Sequence, residues 1–541
     1  MKKSITQTNG HLLSVLKEKL KLLVVALVFV TGGVQAADKH AQGPIDWLTG
    51  TWYDAATGGN VVSAPTAGDN VFTNGFAITI TDDVTCDNLT FTNVAGQIGI
   101  AAGKTLTVRG KMDCTVAGTA DAFSTSDATS ILKLTGAAIT TTSPYILITD
   151  FAIPGIRVKN MVIEAADLKT YQIGVSTNQS YTHGTGKFTV KAGTKLDSRS
   201  YLLLGLGIDN ELLIEEGATV TSYLNIRGSS GNLYTRVTKA TINGTLTAKA
   251  GFSVKDLTLG SNGVLKTENS PASNTGFVTS EGWWTYANTS LDATKFGTPN
   301  SVTMGSNSTI DFSKANAQNI NGIVLANGTS PATQYSIPYV NLILSGSGTK
   351  TIQSNLTATG NLTIARAVTL ATAPSVTATV NGVVLNFGTI TGTLTNAQTI
   401  NVSSADIAKG TVAGSVTGTN VSLAATAITG YKFVNWTEGS NPVSTDAAYA
   451  FTSSGNRTLV ANFDVDTNTS LANNKANTYV TVAGNNMKVI GDVNAIEIYN
   501  AQGKQIQKLS KVNHVYGLTT GIYIVKMHTA QGVNTQKISV K

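Results

Sequence analysis

The sequence predicts an all-β protein whose centre is a right-handed parallel β-helix, or solenoid, and three observations carry that reading. The first is composition: charged residues are 13% and apolar residues 41% of the 541, with 53 Gly. That charge share is about half the usual one, but the apolar share is normal, so low charge here does not mean disorder. The second is periodicity. Runs such as 77–83 (AITITDD), 211–222 (ELLIEEGATVTS) and 239–248 (KATINGTLTA) alternate apolar and polar residues and break at Gly or Asn, the pattern of half-buried strands. The third is recurrence. Units of the form G-x-L-x-apolar, as at 244–246 and 360–364, or with one residue more before the Leu, as at 103–108, return at intervals of about 20 to 30 residues, as stacked repeats do. An array of β-sandwiches would give the same local strands and stays open at this point.

Residues 1–36 read as a signal peptide. Lys2, Lys3, Lys17, Lys19 and Lys21 precede an apolar run over 22–30, and Val34-Gln35-Ala36 is a small-x-small site that places cleavage between Ala36 and Ala37. The run is too short to anchor in a bilayer. No Cys follows the cleavage site, so lipidation there is not expected.

Residues 37–397 are assigned to the β-helix. One layer is too small to bury its own apolar face, so layers stack and bury a continuous column of Val, Ile and Leu. Thr suits outward positions because its branched side chain favours extended backbone. Gly and Asn suit corners that need positive φ. The opening, 45–75, places Trp47 and Trp52 ahead of Pro65 and Asp69-Asn70-Val71. It resembles the opening of many secreted β-helical surface proteins, in which the aromatic residues cover the apolar end of the first layer. An uncovered end would invite pairing with other chains; sugar stacking is the alternative use of the two tryptophans. Cys86 and Cys114 are the two cysteines. An oxidising compartment permits a disulfide between them, and two buried thiols acting as small hydrophobes are the alternative.

Residues 398–464 change character. They carry Gly430, Tyr431, Phe433 and Trp436 in GYKFVNW, then Leu459, Ala461 and Phe463 in NRTLVANF. This resembles a divergent internalin B-type repeat, which implies a small β-grasp-like module used as a spacer or attachment domain, with no catalytic role. Alternation puts Tyr431 with Phe433, and Leu459 with Ala461 and Phe463, on shared strand faces, as core residues. A polar linker at 465–477 leads on.

The last segment, 478–541, again alternates. Ile496 and Ile498 lead into a turn at Gly503, Leu518 and Gly521 precede Tyr523, Val525 and Met527, and Ile538 and Val540 close a final strand. The order resembles the type A C-terminal sorting domain of the type IX secretion system, a small β-sandwich. The resemblance implies that 478–541 engages the type IX secretion machinery and is removed on export, often with attachment of the protein to surface lipopolysaccharide. Together with the signal peptide, it implies a Gram-negative bacterium and a secreted or outer-surface location.

Chemistry is sparse. Residues 1–36 carry five lysines and one glutamate, so of the formal +7 only +3 belongs to the remainder, which has no basic blocks. That argues against nucleic acid as a partner. Only His40 and His183 lie between the signal and the sorting segment, so no histidine cluster for a transition metal is expected. No nucleophile elbow, phosphate loop or HExxH pattern occurs, and no catalytic residue, cofactor or metal is assigned. Asp82-Asp83 with Asp87 would offer oxygens to calcium, and Glu215-Glu216 an acid/base pair. Adjacent strand residues face opposite ways, so both doublets are read as solvated turn residues. Trp283, Trp284 and Tyr286, in SEGWWTYANTS, form either a loop packed over the helix flank or an aromatic platform for a glycan.

The expected function is an exported, non-enzymatic, adhesin-like stalk or binding scaffold for a surface glycan or a host or matrix ligand. A β-helical polysaccharide lyase or glycoside hydrolase is the alternative from another class, and a structural component of an extracellular matrix is a third.

Overall fold

The computed structural model describes residues 36–541 except 93–97, 114–122, 124–126, 137–144, 147–157, 171–185, 199–201, 205–210, 224–225, 231–232, 236, 250–251, 253, 269–300, 321–322, 326–333, 467–477 and 531. Among the described residues every regular element is a strand and none is a helix. The chain divides into two compact units. One is Met1–Ala405 with Thr411–Thr426 and Asn435–Asn462; the other is Asp406–Gly410 with Ala427–Val434 and Phe463–Lys541.

The first unit is organised by two long parallel ladders. One runs through nine strands, from Val84–Cys86 by way of Thr105–Val108 and Ile131–Leu134 to Ser301–Met304. Its pairing keeps register from layer to layer. Cys86 lies beside Val108, which lies beside Leu134, and the line continues through Ile163, Val190, Ile214, Ile242 and Leu259. A parallel line two residues earlier holds Val84, Leu106, Leu132, Met161, Phe188, Leu212, Ala240 and Leu257. All of these are buried, whereas intervening residues such as Thr107, Lys133 and Thr241 are half-exposed. Side chains alternate across a strand, so in-register stacking converts each layer's alternation into continuous apolar columns.

The second ladder takes the strands that follow, among them Lys195–Ser198, Thr219–Ser222, Thr245–Ala248, Val264–Thr267, Thr309–Phe312, Asn341–Leu344, Leu362–Ile364 and Ala378–Asn386. Its column is Leu196, Val220, Leu246, Leu265, Ile310, Leu342, Leu362 and Val384. Tight turns carry the chain from one ladder to the other. Gly193 and Gly217 make them at φ of 75° and 80°, a region that costs a residue with a Cβ. Gly263 has a different reason: a Cβ there would overlap the carbonyl oxygen of Ile242 in the neighbouring layer.

The beginning of the stack is closed by antiparallel pairing. Asp38–His40 pairs in parallel with Asn70–Phe72 and in antiparallel fashion with Trp52–Tyr53, which in turn pairs with Val61–Val62. Trp47 and Trp52 are fully buried beneath this hairpin, edge to face with ring centroids 5.7 Å apart. The indole N–H of Trp52 donates to the Trp47 carbonyl at 2.9 Å. Neither ring has a free face left for a sugar. At the far end, the domain boundary expected at 397/398 falls inside the strand Leu394–Ser404. That strand accepts Arg457–Val465 alongside it in parallel, with Val402 beside Leu459 and Ser404 beside Ala461.

In the second unit, Phe433 and Phe463 meet edge to face at 5.8 Å, and Gly410 lies against the Phe463 ring so closely that a Cβ would overlap it. Of the core residues expected here and in Asn435–Asn462, Trp436, Leu459, Ala461 and Phe463 are buried. Tyr431 and Phe433 are half-buried instead. Residues 478–541 form two antiparallel sheets, one of Tyr479–Ala483, Asn486–Ile490 and His514–Val515, the other of Ala495–Asn500, Gln505–Ser510, Gly521–Thr529 and Gly532–Val540. One core unites them, and Ile496, Ile498, Leu518, Tyr523, Val525, Met527, Ile538 and Val540 all belong to it. The linker expected at 465–477 lies outside the described residues from 467 on.

Glu497 accepts hydrogen bonds from Lys508 Nζ at 2.8 Å and the Tyr499 hydroxyl at 2.7 Å. These hold its carboxyl down at about 2, from an ordinary 4.5.

Trp47→Ala opens the covered end of the stack and lowers stability by about 3–5 kcal/mol, read from the urea midpoint; an unchanged midpoint would show that the cover is dispensable. Glu497 is depressed in the folded state, so its contribution is complete above pH 4.5 and disappears as pH falls towards 2. Calorimetry of Glu497→Gln should therefore show a Tm deficit at pH 7 that closes in that acid window.

Candidate functional site

The columns of the second ladder turn polar at their last steps. Leu342, Leu362 and Val384 are followed in register by Thr399; Leu344 and Ile364 are followed by Asn386, Asn401 and Thr458. Val383, Val384, Leu385 and Asn386 are all buried at the end of Ala378–Asn386, and in the strands beyond it the buried residues are Ile400, Val402, Leu459 and Ala461. A strand buries one parity of its residues or the other, so Thr399 and Asn401 are left on the face the core has given up. That face borders a cleft of about 730 Å³ that also includes Thr389, Ile390, Glu438, Asn456 and Arg457.

The polar groups of the cleft are held in fixed positions. Asn386 Nδ2 donates to Asn401 Oδ1 at 2.8 Å, and Asn386 Oδ1 accepts the Gly388 N–H at 3.0 Å. Asn456 Oδ1 accepts the Thr399 N–H at 2.8 Å. Arg457 directs Nε and Nη2 at one carboxylate oxygen of Glu438, at 3.1 and 3.0 Å. Its Nη1 donates to the Tyr449 hydroxyl at 3.2 Å, and its guanidinium lies over the Phe451 ring, 4.4 Å from the centroid. Burial works against the charge on Arg457, but the bonds it donates to Glu438 and Tyr449 outweigh it and raise the guanidinium above its ordinary range. The one cation and the one carboxylate of the cleft therefore neutralise each other. What remains for a ligand is a set of amides and hydroxyls.

The carboxylates considered from sequence are committed to links between layers. Asp82 accepts from Lys104 Nζ at 2.7 Å, Asp83 accepts the Thr105 N–H at 2.8 Å, and Asp87 lies 3.2 Å from Arg109. The Lys104 bond holds Asp82 below the usual carboxylate range. Glu215 accepts from Lys191 Nζ at 2.6 Å, which holds it low as well. Glu216 starts a different chain: Asn262 donates to it at 3.0 Å, Asn307 donates to Asn262 at 3.2 Å, and Asn341 donates to Asn307 at 3.1 Å. The two glutamates are not brought to one site. Among the described residues no three His, Cys, Asp or Glu side chains group to hold a metal ion.

The other residues singled out from sequence are placed as follows. Trp283, Trp284 and Tyr286 lie outside the described residues, as does His183. Cys86 is a free, buried thiol whose burial pushes its pKa well up, and its candidate partner Cys114 lies outside the described residues. Ala36 and Ala37 are exposed and immediately precede the first strand, Asp38–His40. His40 stacks on Phe72, centroids 4.4 Å apart.

A second polar cluster, which sequence reasoning missed, is enclosed within the stack. Lys350 is fully buried. Its Nζ donates to the carbonyls of Lys314 at 2.6 Å and Asn316 at 3.3 Å, and to Gln318 Oε1 at 3.1 Å. Burial brings this amine down to about 8. Nearby Asp311 is raised by its own burial, although it accepts from the Ser345 hydroxyl at 2.6 Å. Three acceptors match the three donors of an ammonium group, so the cluster works as an internal brace.

Comparison with known families adds one result. Residues 400–467 match the family described as a divergent InlB B-repeat domain, the segment whose GYKFVNW and NRTLVANF patterns pointed the same way, and its all-strand structure agrees. No curated protein matches the chain.

Lys350→Met would deprive three inward oxygens of their shared donor and remove a buried positive charge that favours the Asp311 carboxylate, whose own ion pair is with Lys266 at 3.9 Å. The expected loss is about 3 kcal/mol or more, measured by urea unfolding. A neutral result would show that the brace is not needed.

Proposed function

We propose that this chain is exported through type IX secretion and acts at the outer surface of a Gram-negative bacterium, or in its medium, as a non-enzymatic, adhesin-like binding scaffold. In this reading the two ladders are the faces of a right-handed parallel β-helix. Residues of the 400–467 match form a grasp-like module that follows it in the chain, and 478–541 is a sandwich-type sorting domain that engages the export machinery and is exchanged for attachment to surface lipopolysaccharide. The observation that carries the proposal is the in-register stack itself. Its apolar columns are built from layers that stabilise only their neighbours, and its paired acids are used up in links between layers. Glu215 and Glu216, the acid/base candidates, each have such a structural bond. The internalin B-type match supports a module of the kind found on surface proteins.

Two measurements test the proposal. Deleting 478–541 in a host that has type IX machinery should leave the protein in the periplasm, whereas the full chain reaches the surface or medium; export of the truncated chain would refute the address. Incubating the exported protein with pectins, alginates and host glycans should yield retention without cleavage. Released oligosaccharide would favour a lyase or hydrolase, and spontaneous assembly into sheets or fibres would favour a matrix component.

A further inference from the structure

We propose that the cleft where the apolar columns of the second ladder end is a binding site for an uncharged, hydroxyl-rich saccharide. The proposal rests on the binding-scaffold reading and names the ligand class of that site. Four features of the cleft converge on it.

Size comes first: about 730 Å³ falls within the range of small-ligand sites. Electrostatics comes second. Glu438 takes two hydrogen bonds from Arg457 at 3.0 and 3.1 Å, so an anionic or cationic ligand would have to break a formed ion pair to gain its own. A neutral ligand makes no such demand. The third feature is the lining. Asn386, Asn401, Asn456 and three threonines offer donors and acceptors in mixed order. That mixture suits a ring of hydroxyls, each both donor and acceptor, and suits neither an apolar molecule nor a bare anion. Finally, the amides are prepositioned: the Asn386–Asn401 bond and the Asn456 bond to the Thr399 N–H fix their orientation before a ligand arrives, which lowers the ordering cost of binding.

Sequence position strengthens the argument. Asn386 and Asn401 stand where Ile364 and Leu344 stand in the preceding layers. Asn386 is nearly buried, and a buried amide needs its hydrogen bonds satisfied. A stack that required only stability would continue its apolar column at these positions.

The test uses the full exported chain and arrays of neutral hexaoses of glucose, mannose and galactose beside oligogalacturonates. Wild-type protein should retain at least one neutral oligosaccharide, with little dependence on salt. Thr389 and Thr458 are exposed on the rim, so Thr389→Trp and Thr458→Trp should fill the cleft without disturbing the core and weaken retention at least tenfold. Glu438→Gln frees the guanidinium of Arg457; it should gain oligogalacturonate binding that declines with salt, while neutral retention changes less than threefold. Failure to retain any neutral sugar overturns the ligand class and leaves the scaffold reading standing. Undiminished retention by both tryptophan variants overturns the site. Cleavage of a retained sugar would instead sink the non-enzymatic reading while leaving the saccharide class intact.

Discussion

Parallel pairing in strict register is the constraint on which the rest of the first unit depends. A layer contributes only a few inward side chains and cannot exclude water from them alone. Alignment of Cys86, Val108, Leu134, Ile163 and their successors joins those small contributions into one column. A slip of one residue in any layer would turn its apolar set outward and expose the columns on both sides. Register is therefore protected by devices outside the core. Turn glycines fit the corners against the carbonyls of neighbouring layers, and asparagine and carboxylate bonds such as Asn262 to Glu216 and Asn307 to Asn262 tie some of the corners together.

The same constraint explains where function can reside. While register and parity hold, the inward positions are committed to packing. Between Ala378–Asn386 and Leu394–Ser404 the core passes to the other face, and the Arg457–Val465 strand then packs on that new side. The relinquished positions, Thr399 and Asn401, become available for polar chemistry without leaving a void in the core. A binding surface at this junction costs the stack little, because its rigid supports are strands already fixed by packing.

Much of this architecture was legible in the residues. Alternation pointed to Ile496, Ile498, Tyr523, Val525, Met527, Ile538 and Val540, all of which are buried, but Val480, Met487, Val489, Val493 and Val515 of the same core were not singled out. Trp47 and Trp52 could be read as a cover from the resemblance of 45–75 to the opening of secreted β-helical surface proteins, and their full burial removes the alternative of sugar stacking. The cleft and the Lys350 brace were not legible, for a definite reason. Asn386 is conspicuous only once it is known to lie beside Ile364, and Lys350 only once Asp311 and Gln318 are known to surround it. Both relations join residues far apart in the chain, and local pattern carries no information about which layer meets which. Glu215 and Glu216 show the reverse case. Both lie in the turn just past the strand Glu211–Ile214, where the sequence put them, but their separate partners, Lys191 and Asn262, required coordinates.

The layered ladders also determine how this chain would answer mechanical load. Hydrogen bonds between layers run along the stacking direction, so tension applied from end to end pulls on the few bonds of one interface at a time. Each layer rests on its neighbours alone, and rupture would therefore travel from an end inward in discrete steps. Losing one layer frees about 20 to 30 residues, or roughly 70 to 100 Å of extended chain. A tether that lengthens by such increments dissipates a sudden pull before the remaining layers feel it.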